Sequence, residues 1–222
     1  MATIIFDFDG TLHDSMYIYT RAFAAGYDSM VQRGVAEAKT FAPEEIANNI
    51  GLTSEEAWTT LCPEIPWEES QKAAVVVGAE MDRLIEDGTA RLFPGVEEML
   101  GEAKAAGHTL IFLSNCRIAY QEAARKTFGF DRFFSGYYNS EQFGGIPKEE
   151  IFETIRKDFA GPYIVVGDRD KDLAIAHTHN LPSVGCLYGY ATKPGELDDA
   201  TVQVDSPEEI SGAIEHIAAQ SF

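Results

Sequence analysis

Two aspartates one residue apart, Asp7 and Asp9, close the apolar run that opens "IIFDFDGTLHDS" (residues 4–15), and a glycine and a threonine follow at once. Carboxylates are costly at the end of a strand built for a core, so their placement points to an edge where another group balances their charge. Strand side chains alternate between faces, which directs both acids to the same side, and Gly10 lets the backbone turn without a side chain in the way. Two converging carboxylates repel, and one holds a proton unless a divalent cation sits between protein and ligand. Taken alone, D-x-D-G is explained as well by a surface turn.

Other strand ends carry polar residues of matching chemistry. "TLIFLSN" (109–115) finishes in Ser114 and Asn115, and "YIVVGD" (163–168) runs into "GDRDKD", with Asp168 at the edge and Asp172 one turn later at a helix start. Lys148 begins the helical pattern between them. Each has a plain account: a Ser-Asn turn, a solvated lysine beside Glu149 and Glu150, and acids drawn to a helix N-terminus by its dipole. Their joint order along the chain is harder to dismiss.

The elements that must hold these residues follow from hydrophobic period. The runs at 3–8, 109–115, 163–168 and 182–188 are nearly continuous in apolar residues, as parallel strands covered on both faces are, and "TVQV" (201–204) is read as a fifth. Between them "GVEEMLGEAKAAG" (95–107) and "KEEIFETIRKDF" (148–159) show helical spacing, the first bounded by Pro94 and Gly107. Strands alternating with helices predict an α/β fold with a doubly wound parallel sheet, whose ligands bind at the carboxyl ends of the strands. Residues 14–90 break the alternation. They read as an inserted all-helical cap domain, with 1–13 and 91–222 forming the core, although the valines of "AAVVVGA" leave that stretch open between strand and helix.

Composition narrows the function. The 222 residues carry 36 Asp and Glu against 17 Lys and Arg, a net charge of -19 that repels nucleic-acid phosphates and anionic membrane surfaces. No apolar run reaches the ~18 residues of a membrane span, and no leader pattern is present, so a cytoplasmic protein is expected. Cys62, Cys116 and Cys186 lack C-x-x-C spacing, which argues against a disulfide framework and a zinc site.

With these residues in view, the chain resembles the haloacid dehalogenase-like hydrolases, in particular the phosphoglycolate-phosphatase-like branch with a helical cap after strand one. The resemblance rests on "DFDGTL", "LSN", Lys148 and "VVGDRDKDL", spread over residues 7–172, and continues into "CLYGYATKPGELDDATVQVDSPEEI". It implies a Rossmann-like core and Mg2+-dependent hydrolysis of a small phosphate monoester. Asp7 would be the nucleophile, forming an aspartyl-phosphate, and Asp9 the general acid and base. Mg2+ would be held by Asp7, the Asp9 backbone carbonyl and Asp168, with Asp172 supporting them. Ser114 and Asn115 would donate to phosphoryl oxygens, beside the Gly10 turn, and Lys148 would offset their charge.

Departures from that pattern bear on the substrate. His13 follows the first motif and is expected either to touch substrate or to face solvent at a hinge, Lys148 is followed by Glu149 rather than proline, and Cys116 follows Asn115 where lysine is frequent. The cap holds fourteen Asp or Glu against five Lys or Arg, and Arg21, nearest the hinge, is the expected contact for a second anionic group. "HTH" (177–179) places two histidines two apart on a helix, where they diverge, so a partly buried helical histidine is expected rather than a metal pair. Asp168, Asp170 and Asp172 mimic a calcium loop, but Leu173 and His179 stand where glycine and glutamate are needed. A phosphomutase or a dehalogenase of the same fold remains a rival, a non-catalytic binding module a weaker one, and either a monomer or a homodimer is expected.

Overall fold

Six parallel strands form one sheet in the computed structural model, which describes residues 1–50 and 52–221. They are β1 (Thr3–Phe6), β2 (Thr109–Ser114), β3 (Phe134–Asn139), β4 (Tyr163–Gly167), β5 (Ser183–Cys186) and β6 (Val202–Val204), in the order β3-β2-β1-β4-β5-β6. Alternation along each strand feeds two cores. Ile4, Phe6, Leu110, Phe112, Ile164 and Val166 pack on one face, and Ile5, Ile111, Leu113 and Val165 on the other.

Helices cover both faces, as a sheet of buried strands requires. α5 (Val96–Ala105), α6 (Ile118–Thr127) and α9 (Ile210–Ser221) join the first core, while α7 (Lys148–Asp158) and α8 (Asp170–His179) cover the second through Ile151, Ile155 and Ile175. The chain turns away from β1 on both sides, towards β2 and towards β4, so the strand order reverses there. That reversal opens a crevice beyond the carboxyl ends of β1 and β4, the place where such sheets bind ligands.

Between β1 and α5 the described residues are helical, with α1 (Met16–Gln32), α2 (Pro43–Ala47), α3 (Ser54–Leu61) and α4 (Trp67–Glu86), and no strand of the sheet comes from this insertion. The ambiguous "AAVVVGA" lies inside α4. There Ala73, Val77, Met81 and Leu84 fall on one buried stripe while Val75 is exposed, so helical period overrides the β preference of valine. The two crossings of the insertion are stitched together by a bridge between His13 and Leu92 and by the Asp14–Arg91 ion pair at 2.6 Å.

Two expectations change. β1 stops at Phe6, so strand alternation does not orient Asp7 and Asp9; a turn does, with the Phe8 carbonyl accepting from the backbone N–H groups of Leu12 and His13. β3 adds a strand that hydrophobic runs did not mark, because its "FSGYYN" sits at the sheet edge, is only partly buried and contains Gly136.

Candidate active site

The turn after β1 carries Asp7 and Asp9 over the crevice, β2 delivers Ser114, and β4 delivers Asp168. α7 begins at Lys148, a cation where the helix dipole disfavours one. The reason is across the site: buried Lys148 donates to Asp7 Oδ1 and, at 2.6 Å, to Asp172 Oδ1. Asp172, in the first turn of α8, also accepts from the backbone N–H groups of Asp168 and Arg169 at 3.2 and 3.0 Å, fixing its second oxygen. Asp168 is fully buried and accepts from Thr11 Oγ1 at 3.1 Å and from the Tyr190 backbone N–H at 2.7 Å. Gly10 has φ +93°, and a Cβ there would lie 2.1 Å from Asp168 Oδ2, so only glycine allows this turn against that acid.

Asp7, Asp168 and Asp172 each offer an oxygen within 4.8 Å of the others, so three buried carboxylates face a single ammonium. That excess of negative charge dominates the electrostatics. Burial and then Asp172 push the Asp7 carboxyl up to about 7, against the pull of Lys148. Burial, then the charges of Asp172 and Asp7, raise Asp168 well above the usual carboxylate range. For Lys148 burial works against the charged form, but Asp172 and Asp7 outweigh it and hold the ammonium protonated. An all-oxygen donor set with surplus negative charge fits a hard divalent cation such as Mg2+.

Asp9 stands apart from this trio. Its Oδ1 is held by Tyr120 Oη at 2.9 Å and His13 Nδ1 at 3.0 Å, and its side chain keeps partial exposure toward the cavity. His13 is fully buried and stacked on Phe8, with ring centroids 4.8 Å apart. The expectation of a substrate contact or a solvent-facing hinge therefore gives way to a side chain packed behind Asp9. The turn folds His13 inward because its stacking on Phe8 buries both rings.

Asp7, Asp9, Ser114, Asn115, Lys148 and Asp172 line one cavity of about 300 Å³ between the sheet edge and the helical insertion. Asp168 is fully buried and does not line it. Arg21 is not brought there: it is exposed and sits 5.1 Å over the Tyr17 ring, because its position on α1 turns it outward. Besides Lys148, the cations on the wall among the described residues are Arg117, Arg169 and Lys171, none of which sequence reasoning selected. Tyr120 and Asn49 were also missed, since nothing in their spacing links them to the first motif. Thr11 could have been found as the residue completing that turn. Cys116 lines the cavity too, but burial pushes its thiol up to about 12, which disfavours the reactive thiolate. His179 is partly buried and bonds the Glu149 carbonyl at 2.8 Å, as a helical histidine rather than half of a metal pair.

A parallel sheet with this strand order, four acidic and basic groups gathered beyond β1 and β4, and a helical insertion above them define a class of hydrolase. The family model "haloacid dehalogenase-like hydrolase" matches residues 1–180, and the chain belongs to that family. A phosphoglycolate phosphatase from Synechococcus elongatus is 26% identical over 86% of this chain and 85% of its own length. A 5'-nucleotidase from Pseudomonas aeruginosa is 26% identical over 86% and 84%. The solved structure of a predicted phosphoglycolate phosphatase from Haemophilus somnus superposes with a TM-score of 0.82 at 20% identity, covering 96% of this chain and 98% of that one, which shows the shared fold. By sequence the chain stands with the phosphatases of its family.

Proposed function

We propose that this protein is a Mg2+-dependent phosphatase that hydrolyses a small phosphate monoester through an aspartyl-phosphate on Asp7. The observation that supports it is the gathering of Asp7, Asp168 and Asp172 about one point, with Lys148 bonded to two of them, while Asp7, Asp172, Lys148 and the separately held Asp9 line one cavity. Residues 14–90 act as the cap and residues 1–13 and 91–222 as the catalytic core.

An Asp7 oxygen forms the new bond to phosphorus while the bond from phosphorus to the alcohol oxygen breaks, and Asp9 gives that oxygen its proton. Asp9, now a carboxylate, takes a proton from the water that attacks phosphorus next, and Asp7 leaves as inorganic phosphate forms. Asp9 can serve both steps because its partners, Tyr120 and His13, hold it away from the ammonium that fixes Asp7. Ser114 and the Asn115 N–H are the donors for phosphoryl oxygens, and Lys148 offsets the charge of Asp7 and Asp172. Asp7, the Asp9 carbonyl oxygen and Asp168 would hold Mg2+, which when bound offsets the negative charge that nucleophile and phosphoryl group bring together, with Asp172 supporting the set.

The relatives named as phosphoglycolate phosphatase and 5'-nucleotidase support a small phosphorylated molecule without choosing between those sizes. Phosphate release from a panel of monoesters tests the reading. It is expected with Mg2+, abolished by a chelator, and lowered by roughly a thousandfold or more in Asp7→Asn. No release from any monoester would remove the hydrolase assignment, and isomerised sugar phosphate without free phosphate would replace it with a mutase.

A further inference from the structure

Away from Asp7 the cavity wall changes character. Trp58, Ala74, Val77 and Met81, from α3 and α4, make it apolar. Two residues lining the same cavity carry buried polar atoms without partners, Ser15 Oγ and Asn49 Oδ1, in side chains 2% and 3% exposed. Asn49 Nδ2 donates to the Glu45 carbonyl at 2.7 Å, which fixes the amide and leaves its oxygen as a lone acceptor. Buried polar atoms are nearly always satisfied, so two orphans on one cavity mark where a ligand supplies the missing bonds.

The charges on the same walls are already matched. Arg169 is held by Glu196 at 2.7 Å and by the Ile50 carbonyl, Arg117 by Asp82 at 2.7 Å and the Gly78 carbonyl at 2.8 Å, and Lys171 by Glu56 at 3.4 Å. With Lys148 paired to two aspartates, every described cation on the cavity has an acidic partner. A second anionic group on the substrate would have to share one of those cations with the carboxylate already on it, and the two like charges repel. An uncharged group avoids that repulsion.

Resting on the phosphatase reading above, we infer that the cavity selects monoesters of an uncharged alcohol. That alcohol lays an apolar or flat face on Trp58, Val77 and Met81 and donates hydrogen bonds to both Asn49 Oδ1 and Ser15 Oγ. Asn49 and Ser15 are then specificity-determining residues. Phosphorylated hydroxy acids, whose alcohol carries a carboxylate, are disfavoured.

The test measures kcat/KM of the full chain with Mg2+ for four monoesters: p-nitrophenyl phosphate as general reporter, 2-phosphoglycolate with an anionic alcohol, benzyl phosphate with an apolar alcohol lacking a donor, and uridine 5'-monophosphate with a flat, uncharged, donor-bearing alcohol. The nucleotide is expected to exceed 2-phosphoglycolate by about tenfold or more, a site-built discrimination of ordinary size. Asn49→Ala and Ser15→Ala are each expected to lower kcat/KM for the nucleotide by about 2- to 12-fold, the worth of one net hydrogen bond, and for benzyl phosphate by less. Far-ultraviolet circular dichroism establishes that each variant is folded; either variant decides alone, and the wild-type panel decides if neither folds. If the reporter is hydrolysed but 2-phosphoglycolate equals or exceeds the nucleotide, or if the variants lose both substrates equally, the inference falls and the phosphatase reading stands. If none of the four monoesters releases phosphate, it is the phosphatase reading that falls.

Discussion

Asp7 and Asp9 are separated by one residue and are held by different neighbours. Asp7 is tied to Lys148 in a buried, carboxylate-rich pocket, whereas Asp9 takes hydrogen bonds from outside that pocket, with Tyr120 donating at 2.9 Å. Different partners let a nucleophile and a general acid-base group stand one residue apart. Tyr120→Phe removes one hydrogen bond to Asp9 and keeps the ring that packs on Phe8. It is expected to lower kcat roughly tenfold for alkyl phosphates, the scale of one bond to a charged group, and less for p-nitrophenyl phosphate, whose leaving group needs little protonation. Equal losses on both substrates would show that Tyr120 does not act through Asp9.

Among the elements, α1 and α4 set the height of the cavity roof. They approach closely at Gly26, where a Cβ would stand 2.5 Å from Val77 Cγ2 and 3.0 Å from the Ala73 carbonyl oxygen. Helix propensity favours alanine over glycine by about 1 kcal/mol, while overpacking a tight contact costs about 1–3 kcal/mol. Packing outweighs propensity here because one obstacle is backbone. Gly26→Ala is therefore expected to destabilise the protein by up to about 2 kcal/mol in urea unfolding. Because Val77 is also a cavity residue, KM should rise with it. The elements themselves were unequally legible: α5 and α7 follow from apolar spacing, whereas the run of valines left the middle of α4 open between strand and helix until the buried stripe of Ala73, Val77 and Met81 decided it. β3 was not, since an edge strand with Gly136 and partial burial carries no continuous apolar run.

Across the whole molecule, a chain of net charge -19 gathers further negative charge at its one cavity of catalytic character among the described residues. Without a metal this opposes folding. Burial raises the Asp7 carboxyl from 3.8 to about 7, so the folded state binds more protons than the unfolded state between those values. Stability of the metal-free protein should accordingly fall as pH rises from about 4 to about 7. A cation that binds only the folded state reverses the loss by mass action. Thermal unfolding with a chelator is expected to show Tm falling over that window, and millimolar Mg2+ should restore most of it at pH 7 and little at pH 4. No helix among the described residues is long and apolar enough to cross a membrane.

The sequence by itself determined the alternation of strands and helices, the helical insertion, and the ordered series Asp7, Asp9, Ser114, Lys148, Asp168 and Asp172. These are local matters: hydrophobic period, turn chemistry and short motifs act over a few residues, so they can be read from a string. Only the tertiary structure decided which of those groups share a partner, that His13 turns inward behind Asp9, that Arg21 faces away, and that Asn49, in the turn after α2, and Trp58, in α3, meet on the wall of one cavity. Those outcomes depend on contacts between residues far apart in the chain, such as the 141-residue separation of Lys148 and Asp7, and no local pattern encodes them. The charge each group carries is likewise settled by burial and by neighbours that only folding supplies.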